Sequence, residues 1–403
     1  MTTPSRVAVR RRAEHGLDLL NGFIAAVQTG FGAFVPVYLS GLAWTQVQIG
    51  LVLSAQTLAS MAFQIPGGAL VDATHRRRSL LAAAVAATGL SAAILAALPF
   101  RLPVLLALVM QAAAGAVLGP GIAALSLSLV GQRRLGERLG RNARYASIGS
   151  ALGAAVMGGC ATVLSERAVF ILAALLALPA LWALRHGAAR RRQGEQDVVA
   201  PPTEPAVSPL VLLRDRRVLA FVACVLMFHL SSAAILAVAA PELTRVSGTR
   251  AGLVIAAFII VPQIVVAWLS PLVGRLAERI GRRPLLLVGW ASLPARAILF
   301  AVVGNPVALV PVQVLEGVAS AAFGVLLPLV AADLTRGTGR YNLCMGILGL
   351  AGATGAALST TLAGTVAEFW GRTASFGVLA TLGLAATLLV LAAMPETRPA
   401  AAA

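Results

Sequence analysis

Apolar positions in this chain neither alternate with polar ones nor recur on a single helical face. They run on in stretches of about 20 residues, the length of a helix that crosses the hydrocarbon of a bilayer. Short segments rich in Arg, Gly, Pro and Asp interrupt them. The pattern predicts six spans near 17–40, 46–71, 79–99, 103–131, 143–164 and 167–185, and six more near 217–241, 251–273, 284–304, 306–333, 341–366 and 372–394. Between the two sets lies a basic, Pro-containing stretch, 186–216, whose run Gln193 to Pro209 suits a flexible linker. The expected fold is an all-α membrane protein of twelve transmembrane helices. Its organisation is an N-terminal six-helix bundle at 1–185, a linker at 186–216 and a C-terminal six-helix bundle at 217–403.

Composition supports that reading. Of 403 residues 59% are hydrophobic and only 12% charged, with a mean hydropathy of +0.87. A soluble domain is about 45–50% apolar and about 25% charged, so water is not the main solvent. Disorder, a secreted disulfide scaffold and a coiled coil are excluded by the same arithmetic. An outer-membrane barrel would need alternating strands.

The net charge of +17 invites a nucleic-acid partner, but the placement of the charge argues for a membrane instead. All 32 basic residues are Arg. If the N-terminus is cytoplasmic, 26 of them fall on the cytoplasmic side and five on the other: Arg101, Arg167, Arg245, Arg250 and Arg372. One, Arg296, lies inside a span. Such a split places both termini and the linker in the cytoplasm. The first span follows Arg10, Arg11 and Arg12 and contains Asp18, Asn21 and Gln28, too long and too polar for a cleavable signal. Cys160, Cys224 and Cys344 fall inside spans without metal-ligand spacing and read as packing residues.

The two halves echo each other. Gly68-Ala-Leu-Val-Asp72 with Arg76-Arg77-Arg78 follows the second span, and Gly274-Arg-Leu-Ala-Glu278-Arg279-Ile-Gly281-Arg282-Arg283 follows the eighth. Gly140-Arg141-Asn142 is matched by Gly339-Arg340-Tyr341-Asn342, and Ile49-Gly50-Leu51-Val52 by Ala251-Gly252-Leu253-Val254. Echoes at nearly one offset indicate two pseudo-symmetric, parallel six-helix repeats.

The Gly-x-Leu-Ala-Glu-Arg-x-Gly-Arg-Arg segment resembles the loop signature of the major facilitator superfamily, and the twelve-span layout is similar over essentially the whole chain. The N-half copy departs from the pattern: Ala73 stands where a basic residue is usual and His75 where Gly is usual. The resemblance implies an alternating-access transporter with a central cavity, working as a monomer in a bacterial inner membrane. It implies that Asp72 faces the start of span 11 near Arg340, and that Glu278 faces the start of span 5 near Arg141. These loops would form a gating latch; the alternative is a set of solvated charges that only set topology. The better-preserved Glu278 loop is expected to matter more. The Gly-Pro motif of the drug-antiporter branch is matched only loosely on span 5, where Ala154 stands in place of the Pro. Close helix packing explains those glycines equally well.

Polar residues inside spans usually face a cavity. By the same resemblance, the cavity residues are Asn21, Gln28, Tyr38, Gln111, Ser232, Gln263 and Gln313, each equally readable as an interhelical packing bond. His229 lies mid-span and either titrates or is a satisfied structural histidine. Glu316 is the acid placed deepest in hydrocarbon. Gln313, Glu316 and Ser320 share one helix face. Arg296 lies eight residues before Gly304 and Glu316 eleven after Asn305, about 12 Å and about 16 Å of helix from the intervening turn, so the two charges meet at similar depth. Burial favours the neutral acid and a close Arg favours the carboxylate. The pair therefore reads as a proton-coupling site, or as a static ion pair. An arginine on span 9 beside a proton-carrying glutamate on span 10 also resembles the lactose permease branch.

The sequence contains no Walker loop, no metal cluster and no nucleophile motif, so no cofactor or metal is expected and the chain is not expected to be an enzyme. The functional expectation is proton-coupled export of a small organic solute. Proton-coupled uptake, and a non-transporting receptor or scaffold, are the alternatives. The expected partners are a small-molecule substrate, protons and the lipid bilayer, with no nucleic acid. The arginine split carries a direct test: a reporter active only in the periplasm, fused after Thr397, is expected to be silent, and strong activity would refute the twelve-span topology.

Overall fold

Hydrocarbon offers no hydrogen bond to a bare backbone, so spanning segments satisfy their own amides as helices. The computed structural model describes residues 6–32, 34–187, 212, 214–239, 251–305 and 307–398, and these are helical apart from turns and short connections. The helices of the first half are α1 (Arg6–Phe31), α2 (Phe34–Gly41), α3 (Gln46–Ala73), α4 (Arg77–Ala97), α5 (Arg101–Val130), α6 (Leu135–Val163) and α7 (Glu166–Gly187). Those of the second are α8 (Arg216–Ser232), α9 (Ala251–Ile280), α10 (Arg283–Val302), α11 (Gln313–Leu334), α12 (Tyr341–Trp370) and α13 (Arg372–Ala393).

Among the described residues eleven helices are long and apolar enough to cross a bilayer, with α1 and α2 counting together as Arg12–Gly41. The remaining expected span, 143–164, lies within α6, whose opening turns carry Glu137, Arg138, Arg141, Asn142 and Arg144. The expected linker begins inside α7 and ends where Asp215 caps α8, its Oδ1 accepting from the Arg217 amide at 2.8 Å. Residues 188–211 of that stretch, with Arg190 to Arg192, lie outside the described residues, as do Arg245 and Arg250.

Local chemistry sets the ends. Thr45 and Gln48 form a reciprocal capping box on α3, the Thr45 hydroxyl taking the Gln48 amide at 3.3 Å and the Gln48 side chain taking the Thr45 amide at 3.2 Å. Gly131 closes α5 at φ 71° and Gly371 closes α12 at φ 83°, backbone that other residues adopt only with strain.

The chain divides into two compact units. One comprises residues 1–205 together with 337–346, the other 206–336 with 347–403, so α12 begins in the first and continues in the second. In the first unit α1 packs on α6 and α7, and α4 and α5 pack on each other, with α3 against α5 and α7 against α4. Its interior is apolar, with Phe31, Tyr38, Leu108, Met157 and Phe170 in one cluster and Leu20, Val71, Leu81, Leu118 and Leu184 in another. In the second unit α10 packs on α11 and α13, α9 on α11 and α8 on α13, around Phe258, Phe300, Phe376 and Leu379. Large apolar side chains also point outward, as Trp268 at 77% and Leu51 at 66% exposure show, which suits a lipid-facing surface.

Small residues allow the closest helix approaches. A Cβ on Gly149 of α6 would overlap the Gly22 carbonyl of α1, whereas one on Gly159 would meet nothing within 4 Å. Gly149→Ala is therefore expected to destabilise the protein by about 1–3 kcal/mol and Gly159→Ala to leave it unchanged. Melting temperatures in detergent would check this, and equal values for the two variants would contradict it.

Candidate functional site

Three buried arginines organise the polar interior, and each is solved differently. A guanidinium in a low-dielectric surrounding must find both charge and hydrogen-bond partners. Arg138 of α6, 2% exposed, donates from Nη2 to Asp18 Oδ1 at 2.5 Å and to Asn142 Oδ1 at 2.6 Å. Its Nε also reaches Asn142 Oδ1 at 2.9 Å, and Nη1 reaches the Glu14 carbonyl at 3.1 Å. Asn142 in turn donates to Ser126 at 2.7 Å. Arg141 completes this cluster by pairing with Asp18 and, at 3.1 Å, with Glu14. Every guanidinium nitrogen of Arg138 is used, which marks a structural hub.

Arg282, 1% exposed, is the hub of the second unit. Its Nε donates to Asp333 Oδ2 at 2.9 Å, its Nη1 to the Ala277 carbonyl at 2.6 Å, and Glu278 stands 3.5 Å from Nη1. The Arg282 amide donates to Glu396 Oε1 at 2.9 Å. Burial pushes the Glu396 carboxyl up, but the amides of Arg282, Arg398 and Arg283 and the Arg282 charge together hold it below its usual range. Asp333 and Glu396 were invisible as partners in the sequence, since they lie 51 and 114 residues from Arg282.

The third arginine is incompletely satisfied. Arg296 of α10 pairs through Nη1 with Glu316 Oε2 and donates from Nη2 to Gln313 Oε1 at 3.1 Å. Its guanidinium carbon lies 5.5 Å from the Phe300 ring centre. Ser320 donates to Glu316 Oε1 at 3.0 Å. Among the described residues, Arg296 Nε and Gln313 Nε2 are buried donors with no partner. Glu316 itself is 27% exposed. It sits in the first turn of α11, because residues 307–309 form a 3-10 turn and i to i+3 bonds continue to Gln313. A carboxylate there also faces the positive end of the helix. The cluster thus joins a fixed charge pair, an accessible carboxylate edge and two unfilled donors.

His229 makes no hydrogen bond to that pair among the described residues but lies within electrostatic reach of Glu316. Its Nδ1 lies 3.1 Å from the Val225 carbonyl, and its ring meets Phe323 edge-on at 4.9 Å. Phe323 lies seven residues, about 10 Å, along α11 from Glu316. The ring also rests against Gly352, whose added Cβ would stand 3.1 Å from Cε1.

The remaining cavity candidates are scattered. Tyr38 is buried and donates to the Leu95 carbonyl at 2.9 Å, within the packed interior of the first unit. Asn21 donates to the Leu17 carbonyl at 2.7 Å and Ser232 to the Phe228 carbonyl at 2.9 Å. Gln111 accepts from Gln56 at 2.9 Å, bridging α5 and α3. Gln28 and Gln263 are half-buried.

The signature loops are built unequally. Asp72, 2% exposed, accepts from the Asn342 amide at 3.1 Å, the Asn342 side chain at 2.7 Å and the Leu343 amide at 2.7 Å. It thereby caps the first turn of α12. Gly68, one turn earlier on α3, makes room, since a Cβ there would overlap the Asn342 carbonyl. Arg76 is exposed at the start of α4, Arg340 precedes α12, and Gly274 is buried in α9. Arg279 is exposed and its carbonyl accepts from Arg398 at 2.5 Å. Arg141, which symmetry sets against Glu278, is engaged with Glu14 and Asp18. Among the described residues no group of three His, Cys, Asp or Glu side chains could hold a metal.

The comparisons with known proteins agree in kind. The sequence model of the Major Facilitator Superfamily matches residues 17–238 and again 221–403. An "Uncharacterized MFS-type transporter" of Mycobacterium tuberculosis, from the CDC 1551 / Oshkosh strain and from the H37Rv strain, is 35% identical over 406 residues, covering 97% of this chain and 95% of the relative. The crystal structure of the human organic anion transporter MFSD10 (TETRAN) superposes with a TM-score of 0.70 at 18% identity, over 96% of this chain and 100% of that one. At that identity it speaks for the fold.

The Asp72 cap supplies charge-assisted hydrogen bonds worth about 1.5–3 kcal/mol each. Asp72→Asn is expected to speed hydrogen exchange at the Asn342 and Leu343 amides by about tenfold or more. Unchanged exchange there would show that the carboxylate does not hold the α12 start.

Proposed function

The chain belongs to the Major Facilitator Superfamily of transporters and is a multi-pass membrane protein, and on that premise we propose that it exports a small organic solute in exchange for protons by alternating access. The observation that carries the reading is the Arg296–Glu316 pair with its two orphan donors. Glu316 is the proton carrier. As a carboxylate it is held by Arg296 and Ser320; once protonated it loses the charge attraction, and Arg296 is released toward another acceptor. Arg296 Nε and Gln313 Nε2 offer hydrogen bonds to an acceptor on the solute, so solute and carboxylate compete for one guanidinium. Such competition is what antiport requires: proton binding and solute binding bias the protein toward different states.

The Asp72 contact supplies a conformational element. α12 starts within the first unit and continues in the second, so release of its first turn from Asp72 is coupled to rearrangement of that helix. Asp72 and Gly68 act as a latch, with Glu278 and Gly274 their counterparts in the second half, and Arg76, Arg141, Arg279, Arg282 and Arg340 belong to the positive charge that keeps these ends on the cytoplasmic face of a bacterial inner membrane. His229 shapes the solute path through its contact with Phe323 and Gly352.

The test uses inverted membrane vesicles with a dye-reported proton gradient and a panel of organic compounds. Glu316→Gln is expected to leave a folded protein that still binds and exchanges solute but no longer moves it uphill. A static pair gives the opposite pattern: Glu316→Gln is lost from the membrane, and adding Arg296→Gln restores both expression and active transport. Proton-driven transport by that double variant would end the assignment of Glu316 as carrier.

A further inference from the structure

Three helix ends meet at one corner of the second unit: α8 begins at Arg216, α10 begins at Arg283 and α13 ends at Ala393. Between them lies an open cavity of about 330 Å³, lined by Arg216, Arg217 and Arg283 and by residues 392–395, Ala-Ala-Met-Pro. The cavity therefore combines basic and apolar lining.

The arginines are available. Arg216 and Arg217 are exposed, and among the described residues neither guanidinium has an acidic partner. Arg283 donates from Nη2 to the Leu391 carbonyl at 2.6 Å, while its Nε is a buried donor with no partner among the described residues. Two acids stand nearby, and neither lines the cavity. Asp215 accepts the Arg217 amide at 2.8 Å, and Glu396 accepts the amides of Arg282, Arg283 and Arg398 at 2.9, 3.1 and 2.8 Å. Asp215 Oδ1 and both Glu396 oxygens are committed to backbone, and among the described residues neither acid forms an ion pair with Arg216, Arg217 or Arg283.

We propose that this cavity binds the phosphodiester headgroup of an anionic phospholipid. A phosphodiester oxygen matches the guanidinium donors. The wall of Ala392, Ala393 and Met394 lies where span-forming residues end, so a headgroup seated there keeps its acyl chains beside apolar surface. A free phosphate would gain nothing from that wall. By the arginine split this end lies on the cytoplasmic face, where anionic lipids attract basic segments. The proposal does not depend on proton coupling or on the direction of transport.

The experiment uses the purified full chain in detergent, titrated with phosphatidylglycerol, with phosphatidylcholine and with inorganic phosphate, and read by native mass spectrometry and melting temperature. Phosphatidylglycerol is expected to bind saturably and raise the melting temperature. Arg216→Gln combined with Arg217→Gln should weaken that binding about tenfold or more. Arg101→Gln, which removes an exposed charge at the start of α5, should leave it unchanged. If the double variant does not fold, Arg216→Gln alone is measured and must weaken binding about threefold or more. The proposal is overturned if phosphatidylcholine binds equally, since the cavity then takes any lipid. It is also overturned if inorganic phosphate stabilises as strongly as phosphatidylglycerol, marking a free-anion site, or if the variants bind like the parent.

Discussion

A charge placed among apolar helices must bring its own solvent. Breaking a buried ion pair by removing one partner costs about 3–5 kcal/mol, so the polar interior of this protein is arranged around its buried arginines. Arg138 and Arg282 collect carboxylates, amide oxygens and carbonyls, and with them they tie α6 to α1 and the start of α10 to the end of α11. Arg296 has one carboxylate and one amide oxygen, and its Nε is left over. That unevenness separates a hub that holds helices together from a cluster with capacity for a further partner.

Glycine does for the backbone what these pairs do for charge. Gly68 permits α3 to approach the start of α12, and Asp72, one turn on, takes up the amides that the approach exposes. The glycine and the acid of the signature are thus one device: without the close approach the carboxylate would not reach, and without the carboxylate the first amides of α12 would lack a partner. Gly149 against Gly22 serves α6 and α1, and Gly355 against the Leu226 carbonyl serves α12 and α8. In lipid, packing of this kind replaces the hydrophobic drive that water would supply.

The second signature loop shows how repetition in sequence need not mean repetition in contacts. Asp72 makes three short bonds to the start of α12, and Glu278, which matches the family pattern better, has Arg282 at 3.5 Å among its contacts. The offset between the loops marks the two halves as repeats; it carried no information about which groups each acid meets.

The positions of the spans, their number to within α6, and the concentration of arginine at their ends were all determined by the sequence, because hydropathy over about 20 residues is a local property. The meeting of Arg296 with Glu316 was also legible, since two short helix distances from one turn set a common depth. Only the tertiary structure decided the rest. Glu316 stands in the first turn of α11, because the residues after Asn305 spend their first bonds in 3-10 geometry through Pro311 before the regular helix begins. Tyr38, expected beside a cavity, spends its hydroxyl on the Leu95 carbonyl, and His229 packs against Phe323 within electrostatic reach of Glu316. Asp333 and Glu396 reach Arg282 across 51 and 114 residues. Which polar group meets which depends on helix rotation and on contacts far apart in the chain, and the hydrophobic pattern of a helix buried in lipid is too uniform to encode that rotation.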